Sequence, residues 1–282
     1  EPDMVAALAR YNRENPRGRR DAMRYMGGKS RIAKKIREHL VSHGATKYVE
    51  PFVGGGAMLT AVAGDFSEIL AADAHTDLIG MYRAIQDGTF TPPDVVTEED
   101  YQRLKGEDPS PLRTFAAFGA SFGGKEWGGY ARDSRGGNYA RQGARSLAKS
   151  AKAGMFGDHV DFRAVSVFDL NLPADLTGTV IYCDPPYAGT SGYRTGEFDS
   201  AEAWELYRTW AARGAHVYVS EYAGPDEFLA AEFTKSTELN GTGQGPTRGR
   251  VTEKLFYLPP NPFRDPRGQR DMQYMGGKSR IA

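Results

Sequence analysis

The chain has one cysteine, Cys183, in 282 residues. That excludes an internal disulfide and any zinc site built from cysteines, and no metal is assigned. No apolar run approaches the roughly 18 residues of a membrane span, and no signal peptide is visible, so a soluble, intracellular protein is expected. Neither charge is in excess: 36 Lys and Arg balance 36 Asp and Glu. Nothing global therefore drives the chain onto nucleic acid, and any such surface must be a local patch. An initiating methionine is also missing, and a start on Glu1 suggests a sequence cut from something longer. What is present is ordinary for a protein with a real core, at 40% hydrophobic residues. The length fits one large domain, or a domain with a sizeable insertion.

Along the chain, short apolar runs alternate with helical spacing. Residues 1–20 read as a polar, Arg-rich tail. RYMGGKSRIAKKIREHL (24–40) reads as a glycine loop and a helix with Ile32, Ile36 and Leu40 on one face, with Ser30 as its cap. YVEPFVGGGAM (48–58) is a strand, a glycine loop and a helix start. EILAADAH (68–75) is a second strand ending on Asp73, followed by the helix TDLIGMYRAIQ. This alternation argues for a parallel α/β sheet. Between 89 and 160 it stops: the first part is acidic and loop-rich, and FGASFGGKEWGGYARDSRGGNY has no clear period. It resumes with DFRAVSVFDL, TVIYC, EAWELYRTWAARG and AHVYVSEY. FTKSTELN and VTEKLFYL then read as two strands across a glycine loop. The division expected is a tail (1–20), a first core part (21–88), an insertion (89–160), a second core part (161–258) and a C-terminal tail (259–282).

The most informative run is IYCDPPYAG (181–189). An apolar strand ends on Asp184, Pro185, Pro186 and Tyr187, and the prolines make the turn rigid because they fix φ and carry no N–H. A carboxylate and a ring held this way suit a flat, polar substrate such as a nucleobase, whose amino group donates to the acid while the ring stacks. A bare D-P-P-x is as readily a β-turn with an exposed acid. Cys183, beside it, is expected to be a buried structural thiol. EPFVGGG puts glycines directly after a strand, where backbone can approach a ligand and the next helix offers free N–H groups. Asp73 lies 19 residues beyond Gly54, a spacing that suits a carboxylate holding ribose hydroxyls in a Rossmann-like site. Lys29 is a candidate partner for a ligand carboxylate. A ribose and a carboxylate without a phosphate motif point to S-adenosyl-L-methionine.

YMGGKSRIA, EPFVGGG, AADAH, an insertion, IYCDPPY and TEKLFYL, in that order over about 21–258, resemble the Dam-type DNA adenine-N6 methyltransferases of the alpha group. The insert FGASFGGKEWGGYAR looks like that of phage-encoded members. The resemblance implies a Rossmann-like class I methyltransferase sheet with an inserted target-recognition region and a C-terminal antiparallel hairpin. It implies that Tyr25 and Lys29 contact the methionine part of the cofactor, that Glu50, Pro51, Phe52, Gly54 and Gly56 form the bed beneath it, and that Asp73 holds the ribose. Ser166 to Asp169, including Phe168, fall where the family lines the cofactor adenine, although VSVFD departs from its usual residues. Asp184, Pro185, Pro186 and Tyr187 become the catalytic loop, which Asp184 shares with the cofactor site.

Contact with double-stranded DNA is expected from the insertion. Arg141, Arg145, Lys149 and Lys152 share one helix face about 16 Å long, enough to track several phosphates, unless that face is merely solvated. Lys125, Trp127, Tyr130, Arg132 and Arg135 combine charge, rings and glycine, as in a loop that orders on DNA. His216 reads as a core residue. PRGRRDAMRYMGGKSRIA (16–33) recurs as PRGQRDMQYMGGKSRIA (266–282). The second copy is either an inert remnant, leaving a monomer, or a segment that docks in place of the first, in the chain or across a swapped dimer. Transfer to the cytosine amino group and a retired DNA-binding scaffold stay open as alternatives. So does the biological role, restriction-modification or marking of a phage genome.

Overall fold

The computed structural model describes residues 29–132, 138–186, 198–239 and 247–260, without the side chains of 235–239 and 247–251. Tyr25, Arg135, Tyr187 and the repeated segment, apart from Lys29 to Ala33, lie outside the described residues.

Helix α1 (Ala33–Leu40) leads to β1 (Lys47–Glu50), α2 (Ala57–Val62), β2 (Glu68–Asp73) and α3 (Thr76–Gln86). The inserted segment then supplies α4 (Glu98–Lys105), α5 (Pro111–Gly119) and α6 (Tyr139–Lys152). After it come β3 (Val160–Ala164), β4 (Thr179–Cys183), α7 (Ser200–Ala212), β5 (His216–Glu221), β6 (Leu229–Leu239) and β7 (Thr247–Leu258). The seven strands form one sheet in the order β3-β2-β1-β4-β5-β7-β6. β1 to β5 are parallel, β7 runs antiparallel to β5, and β6 pairs antiparallel with β7. This is the Rossmann-like class I methyltransferase sheet that the sequence led us to expect, closed by its C-terminal hairpin.

Strand alternation sorts side chains to two cores. Tyr48, Tyr182 and Tyr218 face one side, with Ile36, Leu40, Leu59 and Ile79. Val49, Ile181, Cys183, Val217 and Val219 face the other, with Trp204, Tyr207 and Trp210. Both faces of the central strands are covered, which explains why TVIYC reads as a continuous apolar run and is buried throughout. Cys183 is buried and in no disulfide, and burial pushes its thiol well above the ordinary range.

The insertion differs from expectation. Its first half holds two helices, each opened by its own cap. Thr97 and Asp100 make a reciprocal capping box, and Ser110 accepts from the Arg113 N–H at 3.2 Å with Pro111 in the first turn. Phe115, Phe118 and Leu147 share the core of Ile79 and Tyr82, so the insertion is packed into the sheet's own core. The cap of α1 also departs: Ile32, not Ser30, stands at the boundary, and no side chain caps it. Among the described residues no helix is long and apolar enough to cross a membrane.

Candidate active site

The strand order reverses between β1 and β4, and carboxylates collect at that switch point. Glu50 ends β1, Asp73 ends β2, Asp184 follows β4 and Glu221 ends β5, while Glu253 enters from β7.

At the centre is Lys29. Its Nζ lies 2.6 Å from Asp184 Oδ1 and 2.9 Å from Glu253 Oε1, with side-chain exposures of 2% for Lys29, 1% for Glu253 and 20% for Asp184. Burial alone disfavours the ammonium, but Asp184, Tyr182 and Glu253 outweigh it and hold the lysine pKa above its ordinary value. Asp184 is partly exposed, beside Pro185 and Pro186.

The surrounding acids resist ionisation. Burial holds the Glu50 carboxyl well above the ordinary range, with repulsion from Asp184 and Asp73 added and a 2.8 Å bond from the Tyr48 hydroxyl opposing. Burial likewise pushes Glu221 up to about 7, against a bond from the Tyr222 N–H. Asp73 is raised by burial, and the Gly54 and His75 N–H groups, each at 2.9 Å, counter it.

Those bonds give the glycine loop its shape. Gly54 donates to Asp73, and its carbonyl accepts from the Tyr82 hydroxyl at 2.7 Å. Gly56 has φ of +72°, and a Cβ there would meet Met155 Cε at 2.5 Å. The conformation therefore favours glycine, and any side chain there would also have to displace the end of Met155. Pro51 is buried and Phe52 half-buried beside this turn. Phe52 meets Phe198 edge-on at 5.7 Å, and Phe198 meets Phe168 at 5.6 Å. Phe168 and Asp169 are exposed in the turn Val167–Asp169 after β3, which Val167 anchors by its burial.

The structure thus brings Lys29, Glu50, Pro51, Phe52, Gly54, Gly56, Asp73 and Asp184 to one end of the sheet, with Phe168 and Asp169 at its margin. Lys29 meets two carboxylates, Asp184 and Glu253, at this end of the sheet. Glu221, Glu253 and Phe198 were missed. The pattern T-E-K-L-F marked Glu253 only as a strand residue, and nothing in the sequence singles out the other two.

On the insertion, Arg141, Arg145, Lys149 and Lys152 lie on α6, whose opposite side buries Ala140, Gly143, Leu147 and Ser150. Arg141 reaches Asp94 at 3.8 Å, and Arg132 pairs with Glu98. Lys125 is exposed. Trp127 and Tyr130 are half-buried. Trp127 packs edge-on to Tyr101 at 5.0 Å under Arg113, and the Tyr130 hydroxyl donates to the Val96 carbonyl at 2.9 Å. Both rings are occupied in the insertion's own packing, because their apolar area is better buried against Tyr101 than left on a loop. His75 Nε2 lies 3.5 Å from Glu126 Oε2, joining this loop to the end of β2.

Sheet order, glycine turn and acid-ended strands define a class I methyltransferase. Comparison with known proteins narrows the class. The family described as D12 class N6 adenine-specific DNA methyltransferase matches residues 25–110. The chain is 26% identical over 274 residues to the DNA adenine methylase of Escherichia coli (strain K12), covering 84% of this chain and 95% of that protein. It is 25% identical over 209 residues to the retron Ec67 DNA adenine methylase of Escherichia coli, covering 65% and 70%. Among solved structures, the rRNA methyltransferase aviRa from Streptomyces viridochromogenes aligns at 14% identity over 83% of this chain and 87% of that one, with a TM-score of 0.39. At that score the likeness carries no weight. The chain is thus similar to DNA adenine methylases over most of its length.

Proposed function

We propose that this protein transfers the methyl group of S-adenosyl-L-methionine to the N6 amino group of adenine in double-stranded DNA. The observation that carries the reading is Asp184, fixed by buried Lys29 at the β1/β4 switch point and adjoining the glycine turn between Glu50 and Asp73.

The residues suit the cofactor. Two carboxylates, Asp184 and Glu253, share the one buried ammonium of Lys29, and each Asp73 oxygen keeps a lone pair for a ribose hydroxyl beyond its backbone bond. In our reading Glu50, Pro51, Phe52, Gly54 and Gly56 form the bed, Phe168 and Asp169 lie beside the adenine, and Tyr25 meets the methionine end. When bound, S-adenosyl-L-methionine supplies an electrophilic methyl on a sulfonium.

The chain's part is positioning. An adenine amino nitrogen is a poor nucleophile because its lone pair is delocalised into the ring. N–H bonds to the Asp184 carboxylate and the Pro185 carbonyl favour a pyramidal nitrogen whose lone pair is free to attack. As the C–N bond forms, the N–H directed at Asp184 becomes acidic, and that carboxylate is the nearest acceptor. Holding the reactants so is the main contribution to rate. The base first leaves the helix at a cost of a few kcal/mol, and stacking on Tyr187 offsets part of it, by about 1–3 kcal/mol. Lys125, Arg132, Arg135 and the α6 cations meet phosphates; their exposed partners Asp94 and Glu98 hold them weakly enough to exchange.

The test is methyl transfer from labelled cofactor to unmethylated plasmid DNA, read by nucleoside analysis. N6-methyladenine is the expected product. Label in N4-methylcytosine would move the reaction to the cytosine amino group, no label with intact cofactor binding would move the search to RNA or protein acceptors, and failure to bind cofactor would leave a retired scaffold.

A further inference from the structure

Glu253 is buried, belongs to the C-terminal hairpin, and makes its ion pair with the same ammonium that holds Asp184. We propose that Glu253 is a positioning residue for methyl transfer, sharing Lys29 with Asp184 so that Asp184 stays fixed yet not neutralised. The inference rests on the proposed adenine-N6 reaction and deepens it.

The effect is electrostatic. One ammonium is shared between two carboxylates, so Asp184 does not have it to itself. The two acid oxygens lie no farther apart than their two distances to Nζ combined, 2.6 and 2.9 Å. At that range a like charge raises a carboxylate's proton affinity. Asp184 therefore accepts an amino N–H more strongly than it would with Lys29 to itself, while Lys29 prevents it from rotating away. A lone Asp–Lys pair would give the same geometry with a weaker acceptor. Among the described residues, other groups that face Asp184 include Glu50 from β1, Tyr182 and Cys183 from β4, Glu221 from β5, Tyr207 from α7 and Tyr222. Burial favours the neutral form of each. Glu253 is the acid that touches the ammonium itself. Its place on β7 makes the hairpin part of the catalytic apparatus, not only the edge of the sheet.

The test compares wild type, Glu253→Gln and Glu253→Asp by two readouts. One is the carboxyl NMR titration of Asp184, assigned with Asp184→Asn. The other is the pH profile of kcat, with cofactor affinity measured alongside. We expect Glu253→Gln to lower the Asp184 midpoint and the acid limb of kcat by at least about half a pH unit. We expect kcat to fall about 10–100-fold, as for other residues that orient a reacting group, with cofactor affinity little changed. Glu253→Asp, which keeps the charge and folds if Gln does not, should restore the midpoint. An unshifted midpoint overturns the proposal whether or not the protein is active. A midpoint lowered in Glu253→Gln, with a wild type that methylates no adenine, overturns the methyl-transfer reading and the catalytic role with it.

Discussion

Strands β5 and β7 bury titratable groups at both of their ends, and the two ends handle burial in opposite ways. At one end Glu221 and Glu253 sit with Asp184 around the charged Lys29. At the other, His216 and Tyr257 stack with His43 and Tyr218: the His43 and His216 rings are 3.7 Å apart, and Tyr218 and Tyr257 are 4.6 Å apart. There His43 bonds the Tyr218 hydroxyl at 2.7 Å, and His216 Nδ1 bonds that of Tyr257 at 2.8 Å. The stack is held together by neutrality. Burial lowers both imidazole pKa values, that of His216 to about 4, with repulsion from His43 added at His216 and from His39 at His43. Neutral stacking suffices where only packing is asked for. Retained charge, with its desolvation cost, is found where a ligand is to be handled.

The largest stability effect should come from breaking the charged end. Lys29→Met leaves Asp184 and Glu253 without their shared ammonium, and urea unfolding should show a loss of about 3–5 kcal/mol. A loss under about 1 kcal/mol would mean that the trio behaves as a surface pair.

A second experiment sharpens the contrast, because the two ends give pH dependences of opposite sign. For His216 the folded pKa, about 4, lies below the ordinary value of 6.5. Its contribution is fully present above 6.5 and declines as pH falls toward 4. For Glu221 the folded pKa, about 7, lies above the ordinary value of 4.5. Its contribution is fully present below 4.5 and declines as pH rises toward 7. Stability measured across this window should therefore rise more steeply with pH in Glu221→Gln than in wild type, and less steeply in His216→Phe. Parallel curves for all three proteins would remove the distinction.

The smallest effect expected concerns a surface remote from both ends. Replacing Arg145 and Lys149 on α6 by Gln should weaken DNA binding and lower the salt slope by roughly 1 for each phosphate left without its cation. An unchanged slope would show that face to be merely solvated.

The same contrast explains what the sequence made legible. Local grammar revealed the catalytic end in outline: strand, glycine turn and helix at 48–62, the acid-ended strand at 68–73, and the D-P-P turn after 179–183. Strand–helix alternation carried the sheet. The pairing of Lys29 with Glu253 was invisible because it joins opposite ends of the chain through the β5–β7 register, which no local pattern encodes. Trp127 and Tyr130 looked like loop aromatics because their partner Tyr101 belongs to a helix hidden in an acidic stretch. That helix did carry a readable sign, the Thr97–Asp100 capping box. His216 sat on an apolar strand and read as core, whereas it is only half-buried and lies against another imidazole.

The most direct test of the account is Asp184→Ala, assayed for methyl transfer to DNA and, separately, for equilibrium binding of S-adenosyl-L-methionine. Loss of transfer by about 10²-fold or more, with cofactor binding retained, is the predicted result. Transfer at the wild-type rate in that variant would contradict it and move the chemistry away from the β4 turn.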